Sequence, residues 1–248
     1  MKILWRWLVL VIVAGTALQL FFIGRIAMMA VVDPQSTAFE RSEAWRLLTE
    51  KGSLRWRQQW VPYAQISDNL KRAVIASEDG DFVNHDGVEW EAIQKAWDKN
   101  AKAEELAARR TPQPRPGKPA PATKAPKIIG GSTITQQLAK NLLLSGERTL
   151  PRKGQEFVLT VALELLLNKQ RILEIYLNNV EWGEGVFGAE AAAQHYYRKP
   201  AGKLSSYEAA RLAVMLPRPK YFEKVPGSAW LSQRASTIVA RMGDAELP

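Results

Sequence analysis

The chain has no cysteine and only two histidines, His85 and His195, in 248 residues. The first absence excludes disulfides and thiolate metal sites, and the second argues against a histidine-built metal centre. Alternating apolar and polar runs of strand length are scarce, so no large sheet is expected. Internal repeats are absent. Negative charge is in short supply: 25 acidic residues stand against 34 Lys and Arg, a formal charge of +9. Such an excess suits an anionic partner, whether nucleic acid, a membrane surface or a phosphorylated substrate. Much of it is local. Residues 98–127 hold eight Lys and Arg, three acids and six prolines, which predicts a disordered, basic, Pro-rich insertion. The folded body is then less basic than the total suggests. No recognition motif accompanies the charge, so no nucleic-acid partner is expected.

Apolar residues make up 46% of the chain, enough for a sizeable core. One run stands apart. Leu8 to Gly24 is apolar apart from Thr16 and Gln19, and after Arg25 the apolar character resumes from Ile26 to Val32. A bilayer span needs roughly 17–25 residues, and a signal-peptide core only about 7–15. Ala27 and Ala30 do not have the A-x-A spacing of a cleavage site, so the run reads as an uncleaved single-pass anchor within residues 1–32. Lys2 and Arg6 precede it, placing the N-terminus in the cytoplasm and residues 33–248 outside. Residues 33–66 are rich in tryptophan, and Trp56 and Trp60 fit either a membrane surface or ordinary packing. From Ser67, a plausible N-cap, Leu70, Val74 and Ser77 recur at helical spacing. Arg152 to Val180 is apolar on most faces and predicts one long buried helix. Glu156, Glu164, Lys169 and Arg171 oppose reading it as a second span. Another helix runs from Tyr207 to Leu216 and stops at Pro217.

Three clusters carry chemistry. The first is Glu78-Asp79-Gly80-Asp81-Phe82, running on to His85 and Gly87. Glu78 falls at a helix C-terminus beside a second carboxylate, and both features favour its protonated form. A carboxylate raised in this way suits a general base, although a solvated acidic turn has the same sequence. Phe82 and His85 read as residues that organise the turn. The second cluster is Gly130-Gly131-Ser132-Thr133-Ile134-Thr135-Gln136-Gln137-Leu138-Ala139-Lys140-Asn141. It predicts a glycine loop feeding a helix capped by Ser132, a place suited to an anion such as pyrophosphate. Gln137, Lys140 and Asn141 share one helix face. The third cluster sets Arg152, Lys153 and Glu156 at the start of a helix, with Pro151 near its first turn. Helix-dipole complementarity alone would also place Glu156 there.

Together these strings resemble the monofunctional biosynthetic peptidoglycan glycosyltransferases, the lysozyme-like family 51 that polymerises lipid II. Arg171-Ile172-Leu173-Glu174-x-Tyr176-Leu177-Asn178, Trp182-Gly183 and Leu212-Ala213-x-Met215-Leu216-Pro217 extend the resemblance, which covers about 67 to 222. It implies a mainly α, lysozyme-like bilobal domain on one N-terminal transmembrane helix. It also implies a bacterial inner-membrane location with the catalytic domain in the periplasm. The substrates would be lipid II and the growing glycan strand, with undecaprenyl diphosphate released. Glu78 and Glu156 would be the catalytic pair. Ser132, Thr135, Gln136, Gln137, Lys140, Asn141, Arg152 and Lys153 would bind substrate and pyrophosphate, and Asp79, Phe82, His85 and Gly87 would shape the motif. No cofactor is required by the sequence; pyrophosphate chemistry admits a divalent cation, Mg or Mn, whose ligands the sequence leaves unknown. Membrane lipid would be a partner, and other cell-wall synthesis and division proteins are compatible with the reading. No Ser-x-x-Lys nucleophile occurs, so polymerisation without cross-linking is expected. A lytic transglycosylase or muramidase would share the helical core, but would need no pyrophosphate cradle. A non-enzymatic membrane scaffold would explain the anchor but not the carboxylates.

Overall fold

The computed structural model describes residues 2–110, 131–144, 146, 147 and 149–248. Within it α-helices dominate and strands are short, as the sequence predicts. Two compact units are present: residues 1–87 with 133–248, and residues 88–132.

The larger unit begins with α1 (Lys2–Met28), which is long and apolar enough to cross a membrane. Its far end is not a free stalk. Ile26 and Met29 are buried in the core of the body, and Arg171 Nε donates to the Met29 carbonyl at 2.7 Å. The chain then forms α2 (Ala38–Lys51), opened by a Thr37–Glu40 capping box that satisfies two free N–H groups reciprocally. Trp56 and Trp60, both half-buried, make packing contacts, whereas Trp45 is exposed. Trp56 stacks on Phe187 at 4.4 Å, and the Arg171 guanidinium lies 5.5 Å from the Trp60 ring.

The helix expected from Ser67 is α3 (Asp68–Glu78), with Ser67 Oγ accepting the Asn69 N–H. It packs against α9 (Ser206–Met215) and α11 (Ala229–Arg241), and these three form one side of the core. The other side is α5 (Ile134–Leu143), packed on α2, α6 (Leu150–Leu166) and α7 (Lys169–Asn179). A small sheet, ordered β1 (Arg57–Gln58), β3 (Val186–Phe187), β2 (Glu181–Gly183), pairs β1 parallel and β2 antiparallel to β3. Gly185 in the β2–β3 turn has φ +72°, and a Cβ there would lie 2.0 Å from the Arg55 carbonyl. Only glycine fits that approach. The helices α8 (Ala189–Tyr197) and α10 (Pro219–Phe222) complete the unit.

Two readings of the third cluster's helix change. Arg152 to Val180 is not one helix: α6 stops at Leu166, and Asn168 caps α7 by accepting the Arg171 N–H at 2.8 Å. Asparagine is among the best N-caps, and here it outweighs the continuous apolar pattern. Nor is the segment buried all round. Leu159 and Leu163 face the core, whereas Val158, Val161 and Leu165 are exposed on the outer face, Leu165 at 79%.

In the smaller unit, α4 (Trp90–Arg110) takes in residues 98–110, which the sequence reading assigned to a disordered insertion. The correction has a simple cause. All six prolines lie beyond residue 111, and the stretch before them is rich in Ala, Lys, Glu and Arg, strong helix formers. The rest of that segment, 111–127, lies outside the described residues.

Candidate active site

Glu78 is the last residue of α3, and its carboxyl is largely enclosed. Gln137 Nε2 donates to its Oε2 at 3.1 Å, and Ser77 Oγ donates to its Oε1 at 3.4 Å. Burial pushes the Glu78 carboxyl above the ordinary glutamate range. The two donors and Arg234 pull the other way, and Asp79 adds to the rise. Burial is therefore the main cause, ahead of the neighbouring charge that the sequence suggested. The orientation of Gln137 is set from behind: buried Tyr176 donates its hydroxyl to Gln137 Oε1 at 3.0 Å, so the amide nitrogen faces Glu78.

Asp79 turns away from the cleft and joins the first two clusters. Its Oδ2 accepts the Ile134 N–H, the first of α5, at 2.9 Å. Its Oδ1 is 2.8 Å from His85 Nε2. His85 Nδ1 accepts the Gly87 N–H at 3.0 Å, so the ring carries its hydrogen on Nε2, toward Asp79. Burial works against a charged His85, but the Asp79 carboxylate outweighs it and raises its pKa. The Gly87 carbonyl accepts Thr133 Oγ1 at 2.6 Å. Gly87 has φ +80°, and a Cβ there would come within 2.8 Å of Glu164 and Thr160 side-chain atoms. Phe82 is fully buried, with Lys169 Nζ 4.7 Å from its ring centre.

Along α5, Gln137, Lys140 and Asn141 line a cavity of about 380 Å³ together with Arg152 from α6. One buried polar atom on its wall, the donor Arg152 Nε, has no hydrogen-bond partner among the described residues. Glu181, also on the wall, pairs its Oε1 with Lys220 Nζ at 3.3 Å, and the same Lys220 bonds Glu43 more closely. Buried polar groups are rarely left unpaired, so the Arg152 donor suits an occupant that brings an acceptor, such as an anion. Glu156, 4% exposed, accepts from Arg152 Nη1 at 3.4 Å and pairs with Lys153 at 2.5 Å. A larger cavity, about 570 Å³, lies beside Lys51, Arg55, His195 and Glu223 and includes none of the candidate residues.

A transglycosylase family model matches residues 46–108 and 121–243. The chain belongs to this family. It is 54% identical to a biosynthetic peptidoglycan transglycosylase of Burkholderia thailandensis over 95% of its own length and 84% of that protein. Like-named proteins of Burkholderia pseudomallei and Paraburkholderia phytofirmans are 53% and 51% identical, each over 98% of this chain and 88% and 94% of theirs. The fold is accordingly the mainly α, lysozyme-like one of the transglycosylases. The family match skips residues 109–120, inside the segment read as an insertion.

Not every residue proposed from the sequence reaches the transglycosylase cleft. Thr133, not Ser132, caps α5, in a capping box with Gln136. Ser132 falls in the smaller unit. Gln136 is spent on that cap, and Thr135 Oγ1 donates to Glu164 at 2.6 Å; both are buried away from the cavity. Lys153 is absent from the lining and faces Glu156 instead. Residues to which the sequence reading gave no site role complete the wall, among them Phe39 and Ser42 of α2, Val180 and Glu181, and Leu216 and Pro219. Glu181 adjoins the Trp182-Gly183 pair that carried part of the resemblance, and a lone carboxylate there was the available signal. Nothing near Phe39 marks it.

Burial pushes Glu181 up to about 7, opposed by Lys220 and reinforced by Glu43. An unfolded glutamate titrates near roughly 4.3. Between those values the folded state holds the extra proton, so Glu181 makes stability fall as pH rises. Glu181→Gln should raise the melting temperature at pH 8 by about 2–4 °C, the value of roughly 1 kcal/mol in a chain this size. At pH 4, below the unfolded value, the variant and wild type should melt together. Equal melting at pH 8 would contradict the assignment.

Proposed function

We propose that Glu78 is the general base of glycan-strand polymerisation and that Lys140 and Arg152 hold the departing pyrophosphate. The protein is a peptidoglycan glycosyltransferase, and lipid II and the glycan strand are its substrates. In the proposed step Glu78 takes the proton of the acceptor lipid II 4-hydroxyl as that oxygen attacks the anomeric carbon of the growing strand. The new bond is a β-1,4 linkage. The bond from carbon to the pyrophosphate oxygen breaks, and its electron pair leaves with undecaprenyl diphosphate. Attack opposite the leaving group inverts the anomeric centre, which requires the base and the anion site on opposite faces of the sugar.

The observation that carries this reading is the hydrogen bond from Gln137 to Glu78. Gln137 links the raised carboxyl to the helix whose Lys140 and Asn141 line the cation-bearing cavity. Glu156 would act through Arg152, holding its guanidinium while Nε stays free for a phosphate oxygen. Among the described residues no group of three or more His, Asp or Glu is placed to hold a metal ion. A divalent cation recruited here would take its ligands mainly from the pyrophosphate, adding charge stabilisation to that of the side chains. To test the reading, purified protein is given labelled lipid II in one reaction and preformed glycan strands in another. Polymer from the first and no fragments from the second are expected. Fragments alone would make it a lytic enzyme.

We place the chain in the bacterial inner membrane, N-terminus in the cytoplasm and catalytic domain in the periplasm. The support is the single apolar helix α1 with Lys2 and Arg6 at its start. Protease added to intact spheroplasts should digest the body. Complete protection until lysis would reverse the orientation.

A further inference from the structure

Gln19, the amide that interrupts the apolar run of α1, has a partner in the catalytic body. Its Nε2 donates to Gln155 Oε1 at 2.6 Å, and Gln155 Nε2 donates back to Gln19 Oε1 at 3.0 Å. The two amides form a closed pair. Gln155 lies on α6, three residues after Arg152 and one before Glu156. The contact is not isolated. α1 packs along α6, Ile26 and Met29 enter the core, and Arg171 holds both the Met29 carbonyl and Asp33, each at 2.7 Å. Helix and body are thus joined from Gln19 to the end of α1 at Met28, about 14 Å at 1.5 Å per helical residue, and on through the turn to Asp33.

We propose that the Gln19–Gln155 pair is a positioning device, fixing the first turn of α6 at a set height relative to the bilayer. The inference rests on reading Arg152 to Glu156 as part of the pyrophosphate site. A polyprenyl-linked substrate keeps its tail among the lipids, so its pyrophosphate is presented at one depth. Arg152 must be held at that depth to meet it. Apolar packing of α1 on α6 tolerates sliding, because lipid and neighbouring helix offer equivalent contacts. A reciprocal amide pair does not slide: a shift along the helix axis breaks both hydrogen bonds and leaves polar groups in an apolar setting. Gln19 touches no substrate in this account. It acts through Gln155 and the helix that carries Arg152 and Glu156.

The test uses full-length protein in lipid vesicles and the variants Gln19→Leu, Gln155→Leu and the double. Turnover is measured on undecaprenyl lipid II in the bilayer and on a short-prenyl, water-soluble analogue in detergent. On the bilayer substrate each single variant should lose roughly threefold to twentyfold in kcat/KM, the span of an interhelical hydrogen bond in a membrane. The loss should appear in KM, and the double should be no worse than the worse single. On the soluble analogue all three should match wild type. Unchanged kcat/KM in the bilayer, or equal losses on both substrates, would overturn the proposal. If leucine lowers the melting temperature, Gln19→Met keeps the side chain's reach without its hydrogen bonds and is read the same way. Arg152→Ala, run alongside, should impair both substrates. Wild-type rates for it would remove the underlying reading of the site, and the purpose of the clasp with it.

Discussion

Glu78→Gln is expected to abolish polymerisation while leaving the melting temperature close to wild type. The amide has nearly the carboxyl's shape and still accepts the Gln137 hydrogen bond, so the packing around α3 is kept. What it loses is the capacity to take a proton. Losing a general base costs on the order of 10²–10⁴ in rate. Burial sharpens the loss, because the pocket that raises the Glu78 carboxyl holds no second carboxylate in the same position: Asp79 is spent on His85 and on the first N–H of α5. The companion variant Asp79→Asn should behave differently. It leaves the base in place but weakens the join between the first two clusters, so it should lower the melting temperature as well as the rate. Substantial turnover by Glu78→Gln, measured on labelled lipid II, would remove Glu78 from the catalytic role.

The second large effect is expected at the anion site. Lys140→Ala and Arg152→Ala should each reduce turnover strongly, and the double variant should lose less than the sum of the two in free energy. Both side chains line one cavity of about 380 Å³, so they share one anion and their energies are coupled. Arg152→Lys should not restore the rate. Arginine can hold Glu156 through Nη1 while Nε remains for a phosphate oxygen, and an ammonium cannot divide itself in this way. Were these two side chains solvated surface charges, each substitution would change stability by less than about 0.5 kcal/mol and activity hardly at all. Steady-state rates for the singles and the double at matched salt decide the matter. Wild-type rates for both singles would sink the shared pyrophosphate site.

What could be read in the sequence was what is local. Glu78 at a helix end followed from Ser67 as a cap, the periodicity of Leu70 and Val74, and the glycine break. The shared face of Gln137, Lys140 and Asn141 followed from helical spacing alone. Capping was legible only as a short menu. Ser132 and Thr133 are both good caps, and the choice of Thr133 depends on Gln136 closing the box and on the Gly87 carbonyl 46 residues away. The break at Asn168 was hidden by leucines on both sides of it. The join of Asp79 to Ile134, and of Tyr176 to Gln137, spans 55 and 39 residues, and no periodicity reports such contacts. For the same reason Phe39 and Ser42 were missed: α2 reaches the cavity through its packing on α5, a tertiary fact. The outer face of α6 misled in another way. Apolar residues all round a helix signal burial only when every face has a protein neighbour, and here one face does not.

The pH dependence of kcat/KM on lipid II tests the central claim most directly, with wild type compared against Gln137→Leu. Glu78 must be ionised to act as a base, so the rate should rise with pH through one ionisation lying above the ordinary glutamate range. Gln137 stabilises the ionised form through its hydrogen bond, and removing it should move that limb to still higher pH. A wild-type profile already flat at the pH where an ordinary glutamate is ionised, or a limb that stays in place when Gln137 is replaced, would contradict Glu78 as the base.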